Sequence, residues 1–332
     1  MKNNMISFLG ALLCCFLWGS AFPCIKIGYG LWDINSDETW KVICFAGVRF
    51  FLAGAFVILF ACISKKKLIV PRKDEWGKIL LLSLFQTIGQ YVFFYIGLAH
   101  TTGVNSAVVD SLTTFFAIII ASLVMKMERL DFRKILGCVL GFGGVVIVNL
   151  TPQGFTFSLL GDGLVALSAL CYGVSSAMIK RYSDKHDTVL FSGYQFLLGG
   201  TVMTLIGALM GGVGGEMGVA QVTAPAVIML VYLALVSSVA YTLWGILLKK
   251  NDVSKISIFG FMNPVIGVIL SALLLGEAGQ LGIKYVISLV LIALGIVVVN
   301  YEKTKKRRIG KNITDVFSAH RWYFIYGSLE LI

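Results

Sequence analysis

Two charged side chains, Arg49 and Asp110, lie inside long apolar stretches of this chain. Each sits about six or seven residues, hence about 10 Å along a helix, from the same end of its stretch. A charge near the centre of a membrane helix costs roughly 2.5–3.5 kcal/mol on insertion scales, and less at intermediate depth. Two readings are open. Either the two pair across the mouth of a cavity, where a substrate or a proton competes for the pair, or they form a structural ion pair, with Arg49 alternatively snorkelling outward.

Other polar and aromatic groups fall at similar depths. Gln86 and Gln90 are four apart and share a helix face, with Tyr91 and Tyr95 as the adjoining stripe. They offer hydrogen bonds and aromatic surface to a small amphipathic ligand, or else bonds between helices. Trp18 and Ser20, followed by a kink residue at Pro23, recur later as Tyr172, Ser175 and Ser176. Trp and Tyr favour membrane interfaces, so aromatic residues this deep point to a cavity wall or a packed core. Tyr241, Trp244 and Asn263 complete the candidate cavity set, with Pro23 and Pro264 as candidate gating positions. Pro264 removes a backbone donor, which permits a gating bend or a packed kink.

Some chemistry has no residues to perform it. There is no GxxxxGK[ST] phosphate loop, so direct use of ATP is not expected. HExxH, GxSxG and clustered His/Cys sets are missing, so no metal, cofactor or enzymatic activity is expected. The seven cysteines are odd in number, contain no CxxC pair, and read as small packing residues.

The elements that must position these groups are helices. Of 332 residues 58% are hydrophobic and only 14% charged, against about 25% charged in a soluble domain. The mean hydropathy is +0.87. Ten apolar runs cover 6–28, 42–63, 77–98, 104–124, 134–150, 158–179, 189–210, 225–248, 255–275 and 280–300. Each approaches the roughly 20 residues needed to span a bilayer, where the backbone must bond to itself. The first run is longer than the apolar core of a signal peptide, which predicts an uncleaved span.

Basic residues set the orientation. Alternate loops hold Lys65, Lys66, Lys67, Arg72 and Lys73; Lys126, Arg129, Arg133 and Lys134; Lys180, Arg181 and Lys185; and Lys249, Lys250 and Lys255. The opposite loops hold almost none. The net charge of +11 therefore reads as topology rather than as a nucleic-acid surface. Both termini are expected in the cytoplasm of a plasma or inner membrane protein. The tail 302–332 begins basic and ends aromatic, and its basic cluster favours anionic lipid.

The halves 6–150 and 158–301 resemble each other. Trp18 aligns with Tyr172 and Lys26 with Lys180 at one constant offset, RFFLAG aligns with QFLLGG so that Arg49 meets Gln195, and Ser122 and Glu128 align with Ser271 and Glu277. Five spans per copy is an odd number, so the second copy enters the membrane inverted. Such inverted repeats place a substrate site near the midplane and permit alternating access. The fold class expected is therefore all-α integral membrane, with ten transmembrane helices as two inverted five-helix repeats.

These landmarks carry a resemblance. The LWGSAFPCIK start, the Arg49 region, the TTGVNSAVVDSL passage, the run into Met127-Glu128-Arg129, and the second-half Asn263-Pro264 and Gly276-Glu277 are similar to the EamA family of the drug/metabolite transporter superfamily. The resemblance implies a secondary transporter, commonly an exporter of amino acids or other small metabolites, driven by a substrate or ion gradient. Its partners are the lipid bilayer, a small-molecule substrate, and protons or a counter-substrate. The alternative within the superfamily is a nucleotide-sugar or sugar-phosphate exchanger, which needs several deep Lys or Arg residues for phosphate, whereas Arg49 alone lies deep. The alternative outside it is a membrane-embedded sensor or enzyme. One departure stands out: Thr114-Phe115 occupies the place of Asn263-Pro264 in the first half.

Overall fold

Continuous apolar sequence with only five prolines in 332 residues produces long helices, and the computed structural model consists of them. It describes residues 2–35, 38–101, 103–150, 158–214, 222–274 and 283–301. Met1–Val299 forms one unit and Asn300–Ile332 another, of which Asn300 and Tyr301 are described. The expectations for the tail and for Glu277 lie outside the described residues.

The long helices are α1 (Lys2–Leu31), α2 (Thr39–Lys65) and α3 (Trp76–Leu98). Two short pieces follow, α4 (Gly103–Asp110) and α5 (Leu112–Ile119), and then α6 (Phe132–Asn149). The chain continues through α7 (Leu159–Ser183), α8 (Thr188–Gly214), α9 (Ala224–Lys250), α10 (Val253–Ser257), α11 (Met262–Leu274) and α12 (Ile283–Asn300). Seven of these are long and apolar enough to cross a bilayer: α1, α2, α3, α7, α8, α9 and α12. Large apolar side chains such as Phe60, Ile63, Leu209 and Ile228 stand exposed along them, a surface suited to lipid.

Local chemistry sets the helix ends. Ser158 caps α7 by accepting from the Gly161 N–H at 3.0 Å, Asp131 caps α6 by accepting from the Lys134 N–H at 3.0 Å, and Thr223 begins α9 with Pro225 in its first turn. Lys66 closes α2 in the left-handed region, φ 50°, with its N–H returned to the carbonyls of Cys62 and Ile63.

Two of the expected spans are broken rather than continuous. The 104–124 run divides at Ser111, whose hydroxyl bonds back to the Val108 carbonyl at 2.6 Å, a local alternative that bends helices. The 255–275 run tightens into a 3-10 turn over Ile258–Phe261 ahead of Pro264, whose ring crowds the carbonyl four residues earlier. The two breaks meet: the Thr114 hydroxyl donates to the Ser257 carbonyl at 3.1 Å. Pro23, by contrast, sits inside an unbroken α1.

Packing follows small residues. α2 lies along α8, α1 along α9 and α11, and α3 along α7, which also takes α5. A Cβ on Gly47 would meet the Gly200 carbonyl oxygen at 2.9 Å, and one on Gly54 would meet the Gly193 carbonyl oxygen at 2.6 Å. The same reciprocity joins α6 to α12, where Gly137 faces the Gly295 carbonyl at 2.8 Å and Gly144 faces the Ser288 carbonyl at 2.9 Å. The sequence carries two GxxxG stretches, Gly137–Gly141 and Gly207–Gly211; Gly141 and Gly211 lie against the rings of Phe261 and Trp40, so both serve contacts within the chain. The cysteines are free, as packing residues should be. Ser288 is fully buried and donates to the Gly144 carbonyl at 2.7 Å. Ser288→Ala is expected to cost about 1 kcal/mol, read as a lower thermal midpoint in detergent.

Candidate functional site

The deep aromatic residues expected from the sequence converge. Trp18 of α1 lies 5.0 Å from Tyr241 and 4.9 Å from Trp244, both on α9, all edge-on. Phe50 of α2 stacks on Phe196 of α8 with centroids 5.3 Å apart and planes 15° from parallel. Tyr91 of α3 packs 4.4 Å from Phe50, and its hydroxyl bonds to that of Tyr241. Tyr95 continues the stripe at 6.1 Å from Tyr91, and Tyr172 packs on the same cluster from α7. Six helices thus contribute to one aromatic lining.

Arg49 belongs to that lining. It is 4% exposed, with its guanidinium carbon 4.5 Å from the centroid of Phe50 and 5.8 Å from that of Tyr91. Ring faces attract the cation and partly offset its desolvation. Its Nε has no hydrogen-bond partner among the described residues. Nor does a carboxylate pair with it: among the described residues, no ion pair joins Arg49 to Asp110. Arg49 sits on α2, whose neighbours are α8, α9 and α3, whereas Asp110 ends α4, which packs on α6 and α7. Asp110 is half-buried.

A second polar group lies close by. Gln195, fully buried on α8, accepts from the Thr87 hydroxyl at 2.6 Å, and its Nε2 has no partner. Thr87 and the buried Gln86 lie in a π-helical stretch of α3, Leu84–Gly89, a wide turn that is frequent at functional sites. Gln90 Oε1, Trp18 Nε1, Trp244 Nε1 and Asn263 Oδ1 are likewise buried without a partner among the described residues. Buried polar atoms are almost always satisfied, so the orphans on Arg49, Gln90, Gln195 and Trp18, each in the aromatic cluster or next in sequence to one of its rings, mark a place for water or a ligand.

Other candidates are engaged locally. Ser20 bonds to the Leu17 carbonyl at 2.7 Å and to the Tyr232 hydroxyl at 2.9 Å. Ser175 donates to the Tyr172 carbonyl at 2.8 Å, and Ser176 is buried beside it. Pro264 lies near the start of α11, one residue after Asn263. Glu128 has a structural post: it accepts from the N–H and hydroxyl of Ser254 and pairs with Lys134 at 3.4 Å. No group of His, Cys, Asp or Glu able to hold a metal occurs among the described residues.

Sequence reasoning did not single out Phe50, Phe196 and Thr87. A signal existed for the first two. They follow Arg49 and Gln195 directly in the similar RFFLAG and QFLLGG segments, and the structure stacks the two rings on each other.

The comparisons agree with this architecture. The model of the EamA-like transporter family matches residues 5–150 and 159–301. An uncharacterized transporter of Archaeoglobus fulgidus is 26% identical, over 82% of this chain and 91% of its own length. The uncharacterized transporters YvbV and YdfC of Bacillus subtilis are 24% and 26% identical over 92% of this chain, covering 96% and 93% of theirs. A protein crystal structure with 18% identity superposes with a TM-score of 0.71, over 89% of this chain and 96% of that one, which concerns the fold alone.

Proposed function

The chain belongs to the EamA-like transporter family, a multi-pass membrane transporter by that membership, and from that premise we propose a secondary active exporter of a small carboxylate-bearing metabolite, an amino acid or close relative. The observation that carries the proposal is Arg49. A guanidinium held against two aromatic rings without a carboxylate partner is a site for a planar anion, which it can hold through two parallel hydrogen bonds. The aromatic lining suits the rest of a small amphipathic molecule. Asp110, not paired with Arg49, provides a separate acceptor for an ammonium group or a proton.

Alternating access through inverted five-helix repeats is supported by the reciprocal contacts. Gly47 to Gly200 and Gly54 to Gly193 exchange under the alignment that sets Arg49 on Gln195. The α6–α12 contacts exchange likewise under the Asn149-to-Asn300 alignment. Two halves with equivalent contacts can trade conformations at little net cost. The count of ten spans adds α6 and the two broken runs to the seven long helices. The basic loops support a cell-membrane protein with both termini on the cytoplasmic side.

The test is counterflow in reconstituted liposomes. Vesicles preloaded with an unlabelled amino acid mixture should accumulate labelled amino acid, and an imposed proton gradient should alter the rate in the wild type more than in Asp110→Asn. No accumulation of any amino acid, with the protein folded in the same vesicles, sinks the substrate assignment.

A further inference from the structure

We propose that the passage from the aromatic site to the basic face runs between α3, α7 and α8, and that His186, held between Glu75 and Lys78, is a proton-released latch across its mouth. The proposal rests on the transport reading above.

Two polar stripes face each other along this route. Ser83, Thr87 and Gln90 lie on one side of α3, and Thr188, Ser192 and Gln195 recur at helical spacing on α8. A Cβ on Gly199 would touch both Thr87, at 2.6 Å, and Ser83 Oγ, at 2.9 Å, so the stripes meet. Thr87 and Gln195 are hydrogen-bonded at the inner end, while the Ser83 and Thr188 hydroxyls are buried with no partner among the described residues. Beyond them lies a cavity with room for about one water, lined by Leu82, Ser183, His186, Thr188, Phe191 and Ser192. Hydroxyls that serve only to join helices in lipid are paired across them, as Thr87 and Gln195 are, and the unpaired Ser83 and Thr188 hydroxyls leading to a cavity at the basic end go beyond that. A route for a polar solute uses them.

The mouth is closed by charge. The segment between α2 and α3 lies against the α7–α8 turn. Glu75 Oε1 sits 2.8 Å from His186 Nδ1, and Lys78 Nζ sits 2.9 Å from His186 Nε2. A carboxylate only accepts and an ammonium only donates, so Nδ1 carries the proton and Nε2 the lone pair. Arg72 bonds Glu75 at 3.2 Å and approaches Nδ1 at 3.4 Å, and Asp74 lies at 3.8 Å from Arg72 and 4.0 Å from Lys78. From α7, Tyr182 accepts the His186 N–H at its carbonyl. From α8, the Phe191 ring lies 5.1 Å away, and the adjacent Asp187 is paired with Lys65 of α2. The Tyr194 hydroxyl, also of α8, bonds the Ile69 carbonyl at 2.9 Å.

Protonating Nε2 sets two donors, both positive, 2.9 Å apart, with the Arg72 guanidinium beside them. The Lys78 contact turns repulsive while the Glu75 contact becomes an ion pair, so Lys78 turns to Asp74 and its side of the mouth opens, with Glu75 left as the hinge. Histidine is the side chain that changes charge between about pH 5 and 8. The carboxylates stay ionised over that range. Burial pushes Glu75 and Asp187 upward, yet hydrogen bonds from Arg72 and His186 to the first, and from Lys65 and Val189 to the second, outweigh it and hold both below the usual range.

The test is accessibility, read without substrate. The full chain carrying Ser192→Cys, in vesicles with the basic face outward, is exposed to a membrane-impermeant maleimide. The rate is normalised to that of Lys66→Cys, which corrects for thiol ionisation. Lowering the pH from about 8 to about 5.5 is expected to raise the normalised rate about tenfold, as a like-charge contact replaces an attractive one. His186→Gln, which keeps an amide donor and acceptor but does not titrate, should label slowly at both values. Lys78→Met should also lose the dependence. A rate indifferent to pH, or a rise that survives His186→Gln, overturns the latch. Labelling that keeps its pH dependence in a protein that transports no amino acid leaves the latch standing and removes the substrate assignment alone.

Discussion

Arg49→Met is expected to weaken substrate binding by about 10- to 100-fold while leaving thermal stability unchanged or raised. The two halves of this result have one cause. A buried guanidinium stacked on Phe50 and Tyr91 has been taken out of water without a counter-charge. Stacking returns about 2 kcal/mol at best, whereas desolvation of an ion costs several. Methionine fills similar length with apolar atoms, so the folded protein loses a strained group rather than a supporting one. A hydrogen bond to a charged group is worth about 1.5–3 kcal/mol, which sets the size of the binding loss. Arg49→Lys retains charge but loses the planar fork and its fit to the Phe50 ring, and should fall between. Counterflow at varied substrate concentration and a thermal midpoint in detergent are measured on the same preparations. If Arg49→Met lowers stability and transport together, the residue is a packing element and the anion site is lost. Full transport by the same variant has the same consequence.

That the chain forms long apolar helices was legible in the amino-acid sequence, and which helices adjoin was not. Counting residues into an apolar run predicts one level for Arg49 and Asp110, because helical rise is constant. Whether they meet depends on which helices adjoin, and that is set by close-packing contacts far apart in sequence. α2 is pressed on α8 through Gly47, Gly54, Gly193 and Gly200, so Arg49 turns toward Phe50 and Tyr91, while Asp110 is carried by α4 on α6 and α7. The aromatic group was foreseeable because Trp and Tyr at mid-depth are unusual. Phe50 and Phe196 were not singled out, since phenylalanine in an apolar run looks the same whether it faces lipid or a partner. The bend before Pro264 had a chemical marker. The break at Ser111 had only a serine, whose back-bond to Val108 competes with the helix without announcing itself. His186 reads as a solvated loop residue until Glu75 and Lys78, more than a hundred positions away, are seen beside it.

Gly200→Ala is expected to destabilise the folded protein by about 1–3 kcal/mol, and Gly200→Leu to prevent its recovery in folded form. A Cβ at this position would lie 2.2 Å from the Phe51 nitrogen, 2.7 Å from the Gly47 carbonyl oxygen and 2.8 Å from the Phe51 Cα. All three are backbone atoms of α2, so no side chain can swing aside, and relief requires the helices to separate. Separation spoils the partner contacts at Gly54, where the Leu197 nitrogen is 2.5 Å from a would-be Cβ, and loosens the Phe50–Phe196 stack. In lipid, close approach of backbones is itself a main source of helix association, so little else replaces what is lost. Gly143→Ala supplies the control, because a Cβ there meets nothing within 4 Å. That substitution should be neutral or stabilising by up to about 1 kcal/mol, the ordinary helix preference of alanine over glycine. Thermal unfolding of Gly200→Ala and Gly143→Ala beside the wild type in one detergent separates the cases, and Gly200→Leu is read by its yield of folded protein. Equal midpoints for Gly200→Ala and Gly143→Ala would mean that α2 and α8 are not held at backbone distance, and the reciprocal contacts that support an inverted duplication would lose their meaning with it.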